Sequence, residues 1–454
     1  MPPYLLFGIV FVEGYCSLGA EVIALRRLVP HLGSAIVVTA PTIGLFLLAL
    51  AWGYQSGGRV AEGFRRVVAR NFLLAAALAG LGFSGHAVDL LFRHLPAPLA
   101  YLALIGGVLA PVAWLLGQTV PILTNLTRAE RAGEASGRAL YWSTLGSFLG
   151  SVTLSLLVMQ FLGVWASVAV CGLLLAAGAV ACRPPAVPRA GLANLAFPAI
   201  AVPLAAAILA ANLADRGAAE TAYADYAVEP VALEGQMAPR VFRINRSAAS
   251  LVDDSQPPRY ARYIERMRTI IVGDLGFRGR EVLVLGAGGF TLADGETRNR
   301  YVFVDIDPAI RVLAEKDFLR RPAGGEFVVA DARRYVAGES RRFDAVVVDV
   351  FSDRASIPGH LVTREFWRSV RGRLAPGGVL LANLILDPAL ATAYARNTLA
   401  TIESVFGRCA VEVLQRDRPA ANVIVTCAEG PAGPAARIYA DERNFSDWDR
   451  AGAP

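Results

Sequence analysis

The chain has 454 residues, 55% hydrophobic and 18% charged, with a mean hydropathy of +0.45 and a net charge of +6. That apolar share exceeds the roughly 45–50% of an ordinary soluble domain, and it excludes a disordered chain, a collagen and a small disulfide scaffold. Residues 1–214 hold 12 Arg and 6 acidic residues, so the whole positive excess lies there. The second half is neutral and has no net basic excess of the kind nucleic-acid binding needs. The cation is almost always Arg, with Lys316 as the single lysine, a bias read as genome composition. Cys16, Cys171, Cys182, Cys409 and Cys427 form no CxxC pair and read as buried free thiols. His31, His86, His94 and His360 are scattered and give no metal spacing.

A bilayer core of about 30 Å takes about 20 apolar residues as a helix. Seven runs qualify: Tyr4–Leu25, Ala35–Tyr54, Asn71–Phe92, Leu99–Asn125, Ala139–Leu162, Val164–Cys182 and Leu192–Ala214. The first has no basic start and carries Glu13 and Glu21, which argues against a cleaved signal peptide. Gly146 and Gly150, with Ser147 and Ser151, stand at the small-residue spacing of packed membrane helices. Glu21 is expected to pair with Arg26 or Arg27. Glu13 lies mid-span, where a carboxyl is a functional candidate: protonated, facing a polar cavity or holding a cation.

Arginines in short loops set orientation. Arg59, Arg65, Arg66 and Arg70 follow the second run; Arg128, Arg131 and Arg138 follow the fourth; Arg183 and Arg189 follow the sixth. The opposite loops have only Arg26, Arg27 and Arg93. Seven crossings would then place the second half outside, whereas a cytosolic cofactor requires it inside. Pro198 and Pro203 in the last run reconcile the two if that run is interfacial or re-entrant. On that reading the chain makes six crossings of the plasma membrane and the catalytic domain is cytoplasmic.

Residues 215–256 read as a linker with a small β segment, Val241–Ile244 and Ser250–Val252 being its strands. Pro257–Gly273 is a helix with Tyr260, Ile264, Met267 and Ile271 on one face. Strands and helices then alternate, which implies a parallel sheet. The strands are Glu281–Leu285, Tyr301–Asp305, Phe327–Ala330, Ala345–Asp349 and Val379–Leu384, with two more near Val411–Leu414 and Val423–Cys427. The helices are Pro308–Phe318, capped by Asp307, Thr363–Leu374, stopped by Pro376-Gly377-Gly378, and Pro388–Phe406. The core of this domain spans 257–435, and 436–454 reads as a polar tail.

Four positions carry chemistry. Gly286-Ala287-Gly288-Gly289 leaves the first strand as a glycine loop, where backbone can approach a nucleotide closely. Asp305 ends the second strand, where a carboxylate accepts from ribose hydroxyls. Asp331, followed by Ala332, stands past the third strand and can meet an adenine amine. Asp349 ends the fourth. All lie at carboxyl ends of strands, where doubly wound sheets bind ligands; the competing reading for each Asp is a helix cap. No G-x-G-x-x-G is present and the strands run on to a seventh, which favours an adenosyl-sulfonium ligand over a dinucleotide.

These residues resemble a family. Val282–Leu292, Val304-Asp305-Ile306-Asp307-Pro308, Asp331-Ala332, Phe343–Asp349 and Ile357–Thr363 resemble the spermidine synthases, or polyamine aminopropyltransferases. Gly14 through Arg27 and Gly137 through Gly150 resemble the membrane segments of their membrane-fused relatives. The resemblance implies an α-helical multi-pass membrane domain followed by a seven-stranded, Rossmann-like α/β domain of the S-adenosylmethionine-methyltransferase type. It implies transfer of an aminopropyl group from decarboxylated S-adenosylmethionine to a diamine such as putrescine, without a metal. Asp305 would hold the ribose, Asp331 the adenine and Asp349 the amine nucleophile.

The sequence departs from the family where the amine is held. Gly289 and Phe290 replace the Asp-Gly end of the family's glycine loop. Asp349-Val350-Phe351-Ser352-Asp353 displaces the second carboxylate of the Asp-x-x-Asp-Pro signature by one position. The family's Tyr-His-Glu segment is absent, and Asp253-Asp254 through Tyr263 stands there. Two other functions compete: an S-adenosylmethionine-dependent methyltransferase, which would want an Arg for the donor's α-carboxylate, and a transporter or sensor whose soluble half only binds a nucleoside or polyamine. Expected partners are a small diamine, the lipid bilayer and, as a homodimer, a second copy of the chain; nucleic acid is not expected.

Overall fold

The computed structural model describes residues 3–33, 36–125, 132–183, 196–215, 219–221, 223–232, 237–245, 247–350, 357–428 and 438–451. The chain divides into two compact units, one of residues 1–32 and 38–222 and the other of 33–37 and 223–454.

The first unit is helical. Its helices are α1 (Pro3–Leu32), α2 (Ile36–Gly58), α3 (Phe64–Gly82), α4 (Gly85–His94), α5 (Ala97–Thr124), α6 (Gly133–Leu162), α7 (Val164–Ala181) and α8 (Ala196–Ala214). Six of them, α1, α2, α5, α6, α7 and α8, are long and apolar enough to cross a bilayer. The third apolar run is not one straight helix: α3 and α4 meet at 66°. The break falls at Ser84, whose hydroxyl caps α4 by accepting from Ala87 N at 3.4 Å.

Helices α1 and α6 cross where the sequence offers glycine. A Cβ at Gly146 would stand 2.2 Å from Phe11 O, and one at Gly150 the same distance from Tyr15 O, so only glycine admits this approach. Glu13 is buried in that contact and accepts from Ser143 Oγ at 2.8 Å. The expected pairing of Glu21 does not form. Arg26 Nη2 donates instead to Thr221 O at 2.8 Å, and Arg27 Nη1 to Glu220 at 2.7 Å. The last helix also departs from expectation. Pro203 sits inside α8 without interrupting it, because Pro removes only one backbone donor and one turn's clearance. Ile208 of α8 packs against Gly80 and Gly172, so the helix lies along α3 and α7, and it is long and apolar enough to cross a bilayer.

The second unit begins with an antiparallel meander, β1 (Asp225–Pro230), β2 (Arg240–Ile244) and β3 (Ser247–Val252). Its main sheet has seven strands: β4 (Glu281–Leu285), β5 (Arg300–Asp305), β6 (Glu326–Val329), β7 (Phe343–Val348), β8 (Leu374–Leu386), β9 (Ala410–Val413) and β10 (Ala421–Ala428). They lie in the order β9-β10-β8-β7-β4-β5-β6. Pairing is parallel from β8 through β6, and β10 and β9 close one edge antiparallel. The chain builds outward from β4 to β6, then returns to lay β7 on the other side of β4. Connections diverge there, leaving a crevice at the strands' carboxyl ends.

Strand and helix ends shift by a few residues, and two features differ in kind. Cys409 and Cys427 are not free thiols but form a disulfide, because the antiparallel register of β9 on β10 sets them opposite each other, 4.5 Å apart at Cα. Cys16, Cys171 and Cys182 are free and buried. The stretch expected as a polar tail is packed where it is described. Tyr439 is fully buried, its hydroxyl donates to Asp449 at 2.9 Å, and Asn397 donates to the same carboxylate at 2.7 Å.

Candidate functional site

The crevice between β4 and β7 is held open by the glycine turn. Gly286 has φ +90°, and a Cβ there would meet Asp349 O at 2.2 Å. The two strand ends therefore touch through backbone: Asp349 N donates to Leu285 O at 2.9 Å and Gly286 N to Val304 O at 2.8 Å. A cavity opens above them. Gly286, Gly288, Asp305, Asp331, Ala332 and Asp349 all line it. Gly289 does not; it faces a small side cavity and packs under Phe318.

Asp305 shapes the loop as well as the cavity. Its carboxylate accepts from Ala287 N at 2.9 Å and from Asp307 N at 3.0 Å. Burial outweighs these bonds and pushes the carboxyl up to about 6. Asp307 helps fix the meander, accepting from the Tyr226 hydroxyl at 2.8 Å. Asp331 does cap a helix: Oδ1 accepts from Arg334 N at 2.8 Å at the start of Ala332–Gly338. Its other oxygen faces His360 Nε2 at 3.6 Å on the cavity wall.

Asp349 is different, because its side chain is held by another cavity residue. Asn383 Nδ2 donates to it at 2.8 Å, and Asn422 Nδ2 donates to Asn383 Oδ1 at 3.0 Å behind it. Tyr263 also lines the cavity, and its hydroxyl donates to Ala249 O at 2.6 Å. Burial pushes the Asp349 carboxyl up to about 6, against the pull of the Asn383 amide. The cap reading therefore holds for Asp331, while Asp349 is held, among the described residues, by the Asn383 side chain.

Tyr263, Asn383, Asn422 and His360 were not assigned roles from sequence. Asn383 left the clearest trace, as one amide inside an otherwise apolar strand. Tyr263 sits among core residues of its helix, and only the fold brings it to the cavity that Asp349 lines. Phe351, Ser352 and Asp353, the displaced carboxylate signature, lie outside the described residues.

The glycine loop has no room for the carboxylate of the resembled family. A Cβ at Gly289 would stand 2.4 Å from the Phe318 ring, and Phe290, at φ +57°, buries its ring 4.8 Å from that of Phe303. Gly289→Asp is expected to destabilise the fold by overpacking, by about 1–3 kcal/mol, and to give no gain in amine binding. A melting curve checks this; an Asp variant as stable as the parent contradicts the crowding.

No protein-family model matches the chain. Among curated proteins, it is 33% identical over 139 residues to polyamine aminopropyltransferase 2 of Hyperthermus butylicus, covering 28% of this chain and 46% of that one. It is 27% identical over 423 residues to the polyamine aminopropyltransferase of Mycobacterium tuberculosis, covering 79% and 77%. The chain spans about half the length of the relatives it matches at 33% identity. Among solved structures, a probable spermidine synthase from Corynebacterium glutamicum superposes with a TM-score of 0.40 at 24% identity, covering 47% of this chain and 80% of that one.

Proposed function

We propose, from the premise that the chain is a spermidine synthase-like protein, that it is a membrane-tethered transferase. Its second unit moves an aminopropyl group from decarboxylated S-adenosylmethionine to a diamine of the putrescine class. The observation that carries this reading is Asp349, held at the cavity by Asn383 and capping no helix in the described structure. Asp305 and Asp331 supply acceptors for the ribose hydroxyls and the adenine amine. The cavity wall carries three carboxylates and, among the described residues, no Arg or Lys. The three carboxylates suit an acceptor that arrives as a cation.

The chemistry follows from the carboxylate. An alkyl amine is protonated at neutral pH, with a reference value near 10. Asp349 attracts the ammonium, orients it and takes one proton. The freed nitrogen lone pair forms a bond to the aminopropyl carbon beside the sulfonium. The carbon–sulfur bond breaks, its electron pair stays on sulfur, and neutral methylthioadenosine leaves. Sulfonium is a good leaving group, so positioning supplies much of the remaining rate.

A thermal-shift comparison tests the ligand class. A ligand that binds the native state at 100 times its Kd stabilises it by about 2.7 kcal/mol. Decarboxylated S-adenosylmethionine and methylthioadenosine are expected to raise Tm more than ordinary S-adenosylmethionine at equal concentration. The reverse order favours methyl transfer.

A further inference from the structure

The membrane unit fixes how many times the chain crosses. Glu220, just past α8, accepts from Arg27 near the carboxyl end of α1 at 2.7 Å, and from the backbone N of Trp165 at the amino end of α7 at 2.9 Å. Asp215 accepts from Gly85 N, just beyond the carboxyl end of α3, at 2.5 Å, and Asn212 donates to Gly80 O at 2.8 Å. Helices α1, α3 and α8 therefore all finish at one end of the bundle, where α7 begins. Helix α8 has returned along the whole of α7. Its 19 residues reach about 28 Å at 1.5 Å per residue, close to the bilayer core of about 30 Å. Helix α4 has 10 residues, about 15 Å, and does not cross. With the bent α3–α4 pair taken as one crossing, made by α3, the six long apolar helices become seven crossings, an odd number. The chain leaves the unit at the end opposite the loops after α2, α5 and α7.

Nine arginines lie in those three loops and the first turns of the helices that follow them; the exit end has Arg26, Arg27, Arg93 and, just after α8 in the sequence, Arg216. Arg26 and Arg27 are buried and engaged by Thr221, Glu220 and Asp215. The charge rule therefore puts the arginine-rich end in the cytoplasm and the exit end outside. A separate observation agrees. The second unit carries the Cys409–Cys427 disulfide, and disulfides persist in oxidising compartments and are rare in the cytosol.

We infer that everything after α8, the cavity included, faces the extracytoplasmic side of the membrane. This reverses the six-crossing expectation, whose basis was an interfacial α8. A consequence rests on the transferase reading: a transport step must bring an adenosyl donor made in the cytosol across the bilayer before transfer, and the acceptor is an amine met outside the cell's interior.

The full chain, expressed in a Gram-negative host, tests this with paired reporters. Alkaline phosphatase, active only outside the cytoplasm, and green fluorescent protein, fluorescent when fused in the cytoplasm, are each placed after Pro454 and, separately, after Gly63 in the loop following α2. Full-length fusion is verified by immunoblot. The carboxyl-terminal fusion is expected to show phosphatase activity and no fluorescence, and the Gly63 fusion the reverse. In a variant with Cys16, Cys171 and Cys182 changed to Ala, thiols are blocked in intact cells, then reduced and tagged with polyethylene-glycol maleimide. Two tags per chain are expected, from Cys409 and Cys427. A fluorescent, phosphatase-inactive carboxyl terminus with Cys409 and Cys427 blocked at the first step overturns the inference. None of these readouts needs turnover, so failure of the transfer chemistry leaves the sidedness result standing.

Discussion

Asp349→Asn is expected to lower turnover by roughly 10²–10⁴, the usual contribution of a positioned base. The amide keeps the shape and can still accept from Asn383, but it has no charge for an ammonium and takes no proton. Nucleoside affinity should change little, because Asp305 and Asp331 hold that end. Stability should hold or rise at pH 8. The folded carboxyl sits near 6, above its unfolded value near 3.9, so its stability contribution is complete below about pH 4 and is lost as pH rises through about 6. Asn removes that loss. In the parent, kcat/KM should climb through an acidic limb near pH 6 that is absent from residual activity in the variant. A helix cap behaves oppositely, with about 1 kcal/mol of stability lost and activity intact. Melting temperature, nucleoside affinity and transfer rate on one variant separate the two; an active, destabilised Asp349→Asn assigns the residue to structure.

Asp305→Ala is expected to weaken nucleoside binding about tenfold or more. Hydrogen bonds to a charged acceptor contribute roughly 1.5–3 kcal/mol, and two ribose hydroxyls lose theirs. The structure adds a second cost. The backbone donors of Ala287 and Asp307 lose their acceptor together, so the glycine loop loses its anchor and Tm should fall with affinity. Calorimetry showing unchanged affinity removes Asp305 from the site.

Periodicity and punctuation carried most of the fold. The apolar runs marked the long apolar helices, and Gly146 and Gly150 marked a closely packed helix face, whose partner α1 only the fold reveals. The strand ends carried the site, since Asp305, Asp331 and Asp349 needed only the rule that ligands meet carboxyl ends. What stayed hidden depends on tertiary placement. Whether Asp331 caps a helix is decided by the φ and ψ of one residue. The disulfide needs the β9–β10 register, which cysteine spacing does not encode. The bend between α3 and α4 falls inside a run whose composition is uniformly apolar. Tyr439 reads as a tail residue because nothing local shows that α-helix Ala393–Phe406 waits to cover it. The missing loop carboxylate was legible, but its cause, the Phe318 ring against Gly289, was not.

Product analysis tests transfer most directly. The purified full chain is incubated with decarboxylated S-adenosylmethionine and putrescine, and in parallel with ordinary S-adenosylmethionine and the same amine, and the nucleosides are read by mass spectrometry. Methylthioadenosine is expected in the first reaction, in step with spermidine and only when the diamine is present, and Asp349→Asn should abolish both. S-adenosylhomocysteine from the second reaction, with no diamine-dependent methylthioadenosine in the first, contradicts aminopropyl transfer.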